Sequence, residues 1–280
     1  MAEQTPQNVF SAAGAGERWR QGEAERARWL GPITEAMLDA AGVRAGSRVL
    51  DVAAGTGEQS RAAARRVGPT GSVLATDISE SMLTVARQAV ADEGLANVEI
   101  RQMDGQHLDL DEASFDAVIS RLGLMLLPDL VPALRGMRRL LRPGCHLGAI
   151  VYSLPERNPY VSIPRRVLNE RLGLPPGQTA AQTMQMFALS EPGLLTGSLE
   201  SAGFNDVRSR LIQYHRHFPS VAAAVAAFRD SNPMVRDRLV PLPQAEQTAI
   251  WSEIERALAE FQTPNGAEFG GEMLLAWATK

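Results

Sequence analysis

Between Ser47 and Ser153, short β-branched runs alternate with stretches long enough for a helix, which dictates successive βαβ units around a parallel sheet. The runs are Arg48–Val52, Ser72–Asp77, Val98–Met103, Phe115–Ser120 and His146–Tyr152; between them Glu58–Val67, Ser79–Glu93 and Leu130–Leu141 are sized as crossover helices. Ser79 reads as an N-cap, with Glu80 in the first turn where the helix dipole favours negative charge. In "LVPALRGMRRLL", Leu130, Leu134, Met137 and Leu141 form one apolar stripe, leaving Arg135, Arg138 and Arg139 on a solvated face. Arg142-Pro-Gly144 turns this helix into the next strand.

Beyond Ser153 the pattern breaks. Prolines 155, 159, 164, 175 and 176 punctuate helical pieces around Arg165–Arg171 and Pro192–Ala202. A strand over Val207–Phe218, helices over Ser220–Arg229 and Pro243–Gln262, and a last strand over Glu272–Ala278 follow. The expected division is a helical N-terminal lid over residues 1–46, a ligand-binding core over 47–153, and a region 154–280 that adds a cap and the final strands to the same domain.

Composition excludes several function classes. With 280 residues, 45% hydrophobic and 21% charged, the chain is globular, and a net charge of -4 argues against nucleic acid as a partner. No run approaches the roughly 18 apolar residues that span a bilayer, and the N-terminus lacks the order of a secretion signal, so a soluble, cytoplasmic protein with no membrane partner is expected. Cys145 is the single cysteine, which removes disulfide frameworks and thiolate-rich metal sites from consideration; no metal is expected.

The first strand runs into "LDVAAGTGEQS" (residues 50–60), a glycine turn leading into a helix. Such a turn aims backbone N–H groups and the positive end of the helix dipole at whatever sits above the sheet. A phosphate-cradling loop needs Gly-Lys-Ser/Thr, but here Glu58 occupies the place of the lysine. A dinucleotide fingerprint needs glycines at its first, third and sixth positions; Gly55 and Gly57 fit, but Ser60 holds the sixth, where alanine is the usual substitute. Asp51, four residues before Gly55, would repel a pyrophosphate and favour a ligand with a cationic end. Asp77 ends the second strand, where a carboxylate can accept from two ribose hydroxyls, and Asp104 ends the third. Three acids thus converge on one sheet edge.

These residues carry a family resemblance. "VLDVAAGTGEQS", "VLATDISESMLTVARQ", "VEIRQMDGQHL", "FDAVISRLGLMLLPD" and "LRPGCHLGAIVYS" follow one another as in the class I S-adenosylmethionine-dependent methyltransferases. Within that class the chain is similar to the ubiquinone/menaquinone-biosynthesis C-methyltransferase branch. The resemblance implies an α/β, Rossmann-like, seven-stranded and mostly parallel sheet flanked by helices, with an antiparallel last strand and a helical cap. It implies S-adenosyl-L-methionine as cofactor, with Asp51, Ala53, Gly55 and Gly57 at its methionine end and Asp77 on the ribose. Ile78 and Met82 would flank the adenine, Asp104, Gly105 and Gln106 would read its edge, and Arg121 would offer backbone to the ammonium group.

Nothing after Ser153 matches a substrate-specific signature. A small-molecule acceptor is expected, with carbon methylation of an aromatic or quinol-like compound slightly ahead of oxygen methylation on resemblance alone. The alternatives are a non-catalytic cofactor-binding regulatory module and, disfavoured by Asp51 and Ser60, a nicotinamide-dependent oxidoreductase. A homodimer stays open. His215 and His217, in "QYHRHF", share one strand face and are the candidates for a base, while Trp19, Met125, Tyr152, Tyr160 and Phe187 are candidates for the acceptor pocket. Trp29 and Phe228 are further lid and cap aromatics, and Met184, Met186 and Met234 could supply adaptable pocket surface.

Overall fold

The computed structural model describes residues 14–173, 185–231, 235 and 238–280. The expected pocket methionines Met184 and Met234 lie outside these residues. The described residues open with helices α1 (Ala15–Arg20) and α2 (Glu23–Ala40), then β1 (Arg48–Val52), α3 (Glu58–Val67), β2 (Ser72–Asp77), α4 (Glu80–Asp92), β3 (Val98–Gln102) and β4 (Phe115–Arg121). Next come α5 (Leu130–Leu140), β5 (Leu141–Tyr152), α6 (Pro159–Arg171), α7 (Leu194–Ser201), β6 (Asn205–Phe218), α8 (Val221–Ser231) and α9 (Gln244–Ala257). A hairpin of β7 (Gln262–Thr263) and β8 (Gly266–Thr279) closes the chain.

The strands form one sheet in the order β3-β2-β1-β4-β5-β8-β6, with the two-residue β7 paired to β8 off this path. The first five run parallel, and β8 inserts antiparallel between β5 and β6. Seven main strands and an antiparallel last strand agree with the sequence reading; the short β7 adds an eighth. The β5 strand starts at Leu141 rather than His146, because the register with β4 shifts between Phe115 and Ala117 and keeps the Pro143-Gly144 kink within the ladder.

Local chemistry explains these elements. The inner strands read as apolar runs because helices cover both faces: Val49, Leu50 and Val52 on β1, and Ala117 to Ile119 on β4, are all buried. Ser79 caps α4, its hydroxyl accepting from the Met82 amide. The α5 stripe buries Ala133, Leu134, Met137 and Leu140, and Arg139 spends its guanidinium on the Leu108 and Leu110 carbonyls. Helix α2 lies on β5 so closely that a Cβ on Gly148 would stand 2.9 Å from that of Ala41. Among the described residues no helix is long and apolar enough to cross a membrane.

Two features of this fold prepare the site. Sheet order reverses between β1 and β4, opening a crevice at the carboxyl edge of the strands. On the far side, Tyr152, the last residue of β5, pairs through Met273 with Ile212, so β6 and β8 run on together past the end of β5, carrying Tyr214, Arg216 and Phe218 on β6. Arg216 stands about 13 Å above that level at the usual rise of a strand. The β6 extension is therefore a wall beside the crevice, and α1 with the first turns of α2 roofs it.

Candidate functional site

A cavity of about 410 Å³ occupies this crevice, bordered by the glycine turn, the ends of β2, β3 and β4, the roof helices and the wall. That volume is within the range of small-molecule sites. The turn reaches it through three backbone devices. Ala53 and Gly55 have φ of 60° and 58°, Gly57 at φ 78° starts α3, and the Gly57 amide donates back to the Ala54 carbonyl at 3.0 Å. A Cβ on Gly55 would meet nothing within 4 Å, so the backbone there is open to a ligand.

Asp77 fixes the turn. Its Oδ2 accepts from the Gly55 amide and its Oδ1 from the Ser79 amide, both at 2.8 Å, which leaves the outward lone pairs of the carboxylate to the cavity. Burial pushes its carboxyl above the usual range, against the pull of the Ser79, Gly55 and Ile78 amides. Ala53, Ile78, Met82, Asp104, Gly105 and Arg121 also border the cavity.

Other expected residues sit elsewhere. Asp51 is fully buried beneath the turn, accepting from the Ser60 hydroxyl and, at 3.3 Å, from Gln59 Nε2. It does not border the cavity; Gln59 does, and also donates to the Ala54 carbonyl at 3.2 Å. Burial pushes the Asp51 carboxyl up to about 6, although Ser60, Gln59 and the Arg121 charge pull it down. The serine that spoiled the dinucleotide fingerprint is thus the partner of this acid. Gly57 faces Ala86 of α4, and Gln106 turns its Oε1 to the Asp129 amide at 3.1 Å. Met125 is core, and Phe187 backs the Tyr152 ring with centroids 5.5 Å apart instead of reaching the cavity.

The histidine expectation is corrected. Side chains alternate along β6, and Tyr214, Arg216 and Phe218 take the buried face, so His215 and His217 point to solvent. His217 lies 3.9 Å from Glu268 on that outer face, and neither histidine borders the cavity. Arg216 is the residue that matters there. Its guanidinium lies 3.8 Å from the Tyr160 ring centroid and 4.9 Å from that of Trp29, and it grips Glu25 of α2 through two bonds of 3.0 and 2.8 Å. Trp29 in turn stacks on Tyr214 at 4.7 Å, a ring that fits only because Gly271 opposite it has no Cβ. The missed signal was in "YHRHF": an apolar residue on each side, two positions away, carries Arg216 inward with it.

A second network joins roof to turn. Glu58, the residue in the lysine position of a phosphate loop, accepts from Arg26 of α2 at 2.5 Å and from Arg121 of β4 at 2.9 Å. Arg121 also donates to Thr34 at 2.9 Å, so its guanidinium is taken by protein. Burial works to raise the Glu58 carboxyl, but Arg121 and Arg26 outweigh it and hold the group below the usual range. Arg165 of α6 adds a further buried cation to the cavity wall, its pKa lowered to about 10 chiefly by burial.

Comparison with known proteins places this architecture. Residues 49–144 match the family described as "Methyltransferase domain". The ubiquinone/menaquinone biosynthesis C-methyltransferase UbiE of Hahella chejuensis is 44% identical over 126 residues, which are 45% of this chain and 50% of that protein. The chain therefore matches about half the length of such relatives. Among solved structures, the YcgJ protein of Bacillus subtilis shares the fold with a TM-score of 0.60 at 16% identity, over 88% of this chain and 97% of that one. Phosphoethanolamine N-methyltransferase 2 of Haemonchus contortus, solved with S-adenosyl-L-methionine, gives 0.55 at 20% identity over 89% and 52%. Residues 49–144 thus match a methyltransferase domain, and the chain is similar in sequence to the UbiE C-methyltransferases over about half their length.

Proposed function

We propose that the whole chain is an S-adenosylmethionine-dependent methyltransferase acting on a small, flat acceptor, aromatic or quinol-like, at carbon or oxygen. One observation carries the reading: a single cavity runs from the open glycine turn and the Asp77 carboxylate to an aromatic wall of Trp19, Trp29, Tyr152, Tyr160 and Phe228, with Arg216 of β6 among them. Two ligands of different chemistry fit such a space, a polar one over the turn and a flat apolar one against the wall.

The residues present suit the donor. Gly55 leaves room for close approach of a ligand to the backbone, and Asp77 keeps acceptor sites for ribose hydroxyls. Ile78 and Met82 offer apolar flanks for a base, with Asp104 and Gly105 at its edge. Asp51 would act on the cationic end through its field and through Gln59 rather than by contact. The donor, when bound, supplies a methyl group already activated on a sulfonium. The chain's own contribution is position and dryness. The Glu58 network fixes α2 over the turn, the Glu25–Arg216 pair fixes it to the wall, and the enclosed aromatic surface excludes water from the reacting centre.

Incubation with methyl-labelled S-adenosylmethionine and a panel of hydroxylated aromatics and quinols, followed by mass detection, tests the reading. Label on a ring carbon or hydroxyl of a panel compound is the expected result. Donor binding with no transfer to any compound in the panel would contradict the acceptor class.

A further inference from the structure

The chain has three tyrosines, and two have committed their hydroxyls to the protein. Tyr160 donates to the Ala224 carbonyl at 3.1 Å, and Tyr214 donates to Asn158 Oδ1 at 2.9 Å. Tyr152 is just as enclosed, 5% exposed, yet its hydroxyl has no hydrogen-bond partner among the described residues. An enclosed phenol that makes no internal hydrogen bond calls for an explanation, because such groups nearly always find a partner. The Tyr152 oxygen is also absent from the sealed, unpartnered polar atoms, so the space it faces is the cavity its side chain borders.

Its surroundings are specific. Phe187 supports the ring from behind and fixes the direction of the hydroxyl. Arg216, Arg165 and Arg121 all act on it as positive charges, opposed by Glu25. Burial dominates and raises its own pKa, so the group stays a neutral donor at ordinary pH. A neutral O–H beside several cations is a site that prefers a negatively charged or strongly polarised oxygen.

We propose that the Tyr152 hydroxyl donates the hydrogen bond that holds an oxygen of the acceptor and, with Arg165 and Arg216 beside it, favours that oxygen as its anion. This rests on the methyl-transfer reading and adds to it the group that orients the acceptor. Tyr152 becomes the residue that selects molecules with an ionisable hydroxyl over their ethers.

The probe is 4-nitrophenol, whose absorbance reports its ionisation. Titrated into the wild-type protein with S-adenosylhomocysteine present, it should ionise at lower pH than in buffer. Tyr152→Phe keeps the ring and its contact with Phe187, and should bind the probe at least ten-fold more weakly with the ionisation shift reduced. Donor binding, measured by calorimetry on the same protein, should stay within two-fold of wild type. His217→Ala serves as control: its side chain faces solvent outside the cavity, and the variant should leave probe binding and the probe spectrum as in wild type. Equal binding and ionisation in Tyr152→Phe overturns the inference, as does a wild type that binds the donor but not the probe. A wild type that binds no donor is a different result, and it overturns the methyl-transfer reading instead.

Discussion

Asp51 carries a stability cost that the position of the turn explains. A carboxyl raised by burial binds its proton more tightly in the folded chain than in the unfolded one, so stability falls as pH rises from about 4 to about 6. Above that the full cost is present, on the order of 3 kcal/mol for a shift of this size. Asp51→Asn should therefore melt higher than wild type at pH 7.5, and the difference should shrink by pH 4.5; thermal melts at the two pH values check this. An acid kept at such cost under a glycine turn is consistent with a field aimed at a cationic ligand group. His215→Ala and His217→Ala, by contrast, remove solvent-facing groups and should change stability by less than about 0.5 kcal/mol, with methyl transfer unaffected. At this scale the sequence was legible where a residue type has one job, as with Gly55 and Asp77. It was harder to read in residues 214–218, where the charge of Arg216 masks the face that Tyr214 and Phe218 mark as inward, the face that packs against Gly271 and Trp29.

The elements around the site divide into a rigid edge and a docked roof. Strands β1, β2 and β4 and the second half of β5 were readable from their apolar runs because both faces are buried, whereas the edge strand β3 was readable from its alternation, with Glu99 and Arg101 exposed. The roof was expected as a helical lid over residues 1–46, but not its docking, since α1 is held by contacts that no periodicity records. The Gly16 amide donates to Ser81 Oγ at 3.1 Å, and a Cβ on Gly16 would stand 2.1 Å from the Ser81 carbonyl oxygen. Gly16→Val should lift α1 from α4, raise the dissociation constant for S-adenosylmethionine at least ten-fold, and leave the cooperative melting of the sheet nearly unchanged. Calorimetry and a thermal melt on the same sample separate these effects. Glu25→Gln removes the charge that balances Arg216 and should loosen the first turns of α2, which hydrogen exchange would read as faster exchange there.

On the scale of the whole molecule, roof, turn and wall belong to one chain, and their ion pairs meet in α2: Arg26 reaches the turn and Glu25 reaches the wall. Both ligands of the proposed reaction would then sit under the same helix. The family match, residues 49–144, covers the turn and strands β1 to β4 but not this wall, which is why the donor is far better specified than the acceptor. On the proposed function, the crevice at the carboxyl edge of the sheet is a methyl-donor site. Isothermal calorimetry with S-adenosylmethionine should then show saturable binding of one equivalent by wild type, and at least ten-fold weaker binding by Asp77→Ala, which loses a charged acceptor. No heat of binding with wild type, or equal affinity in Asp77→Ala, would contradict it.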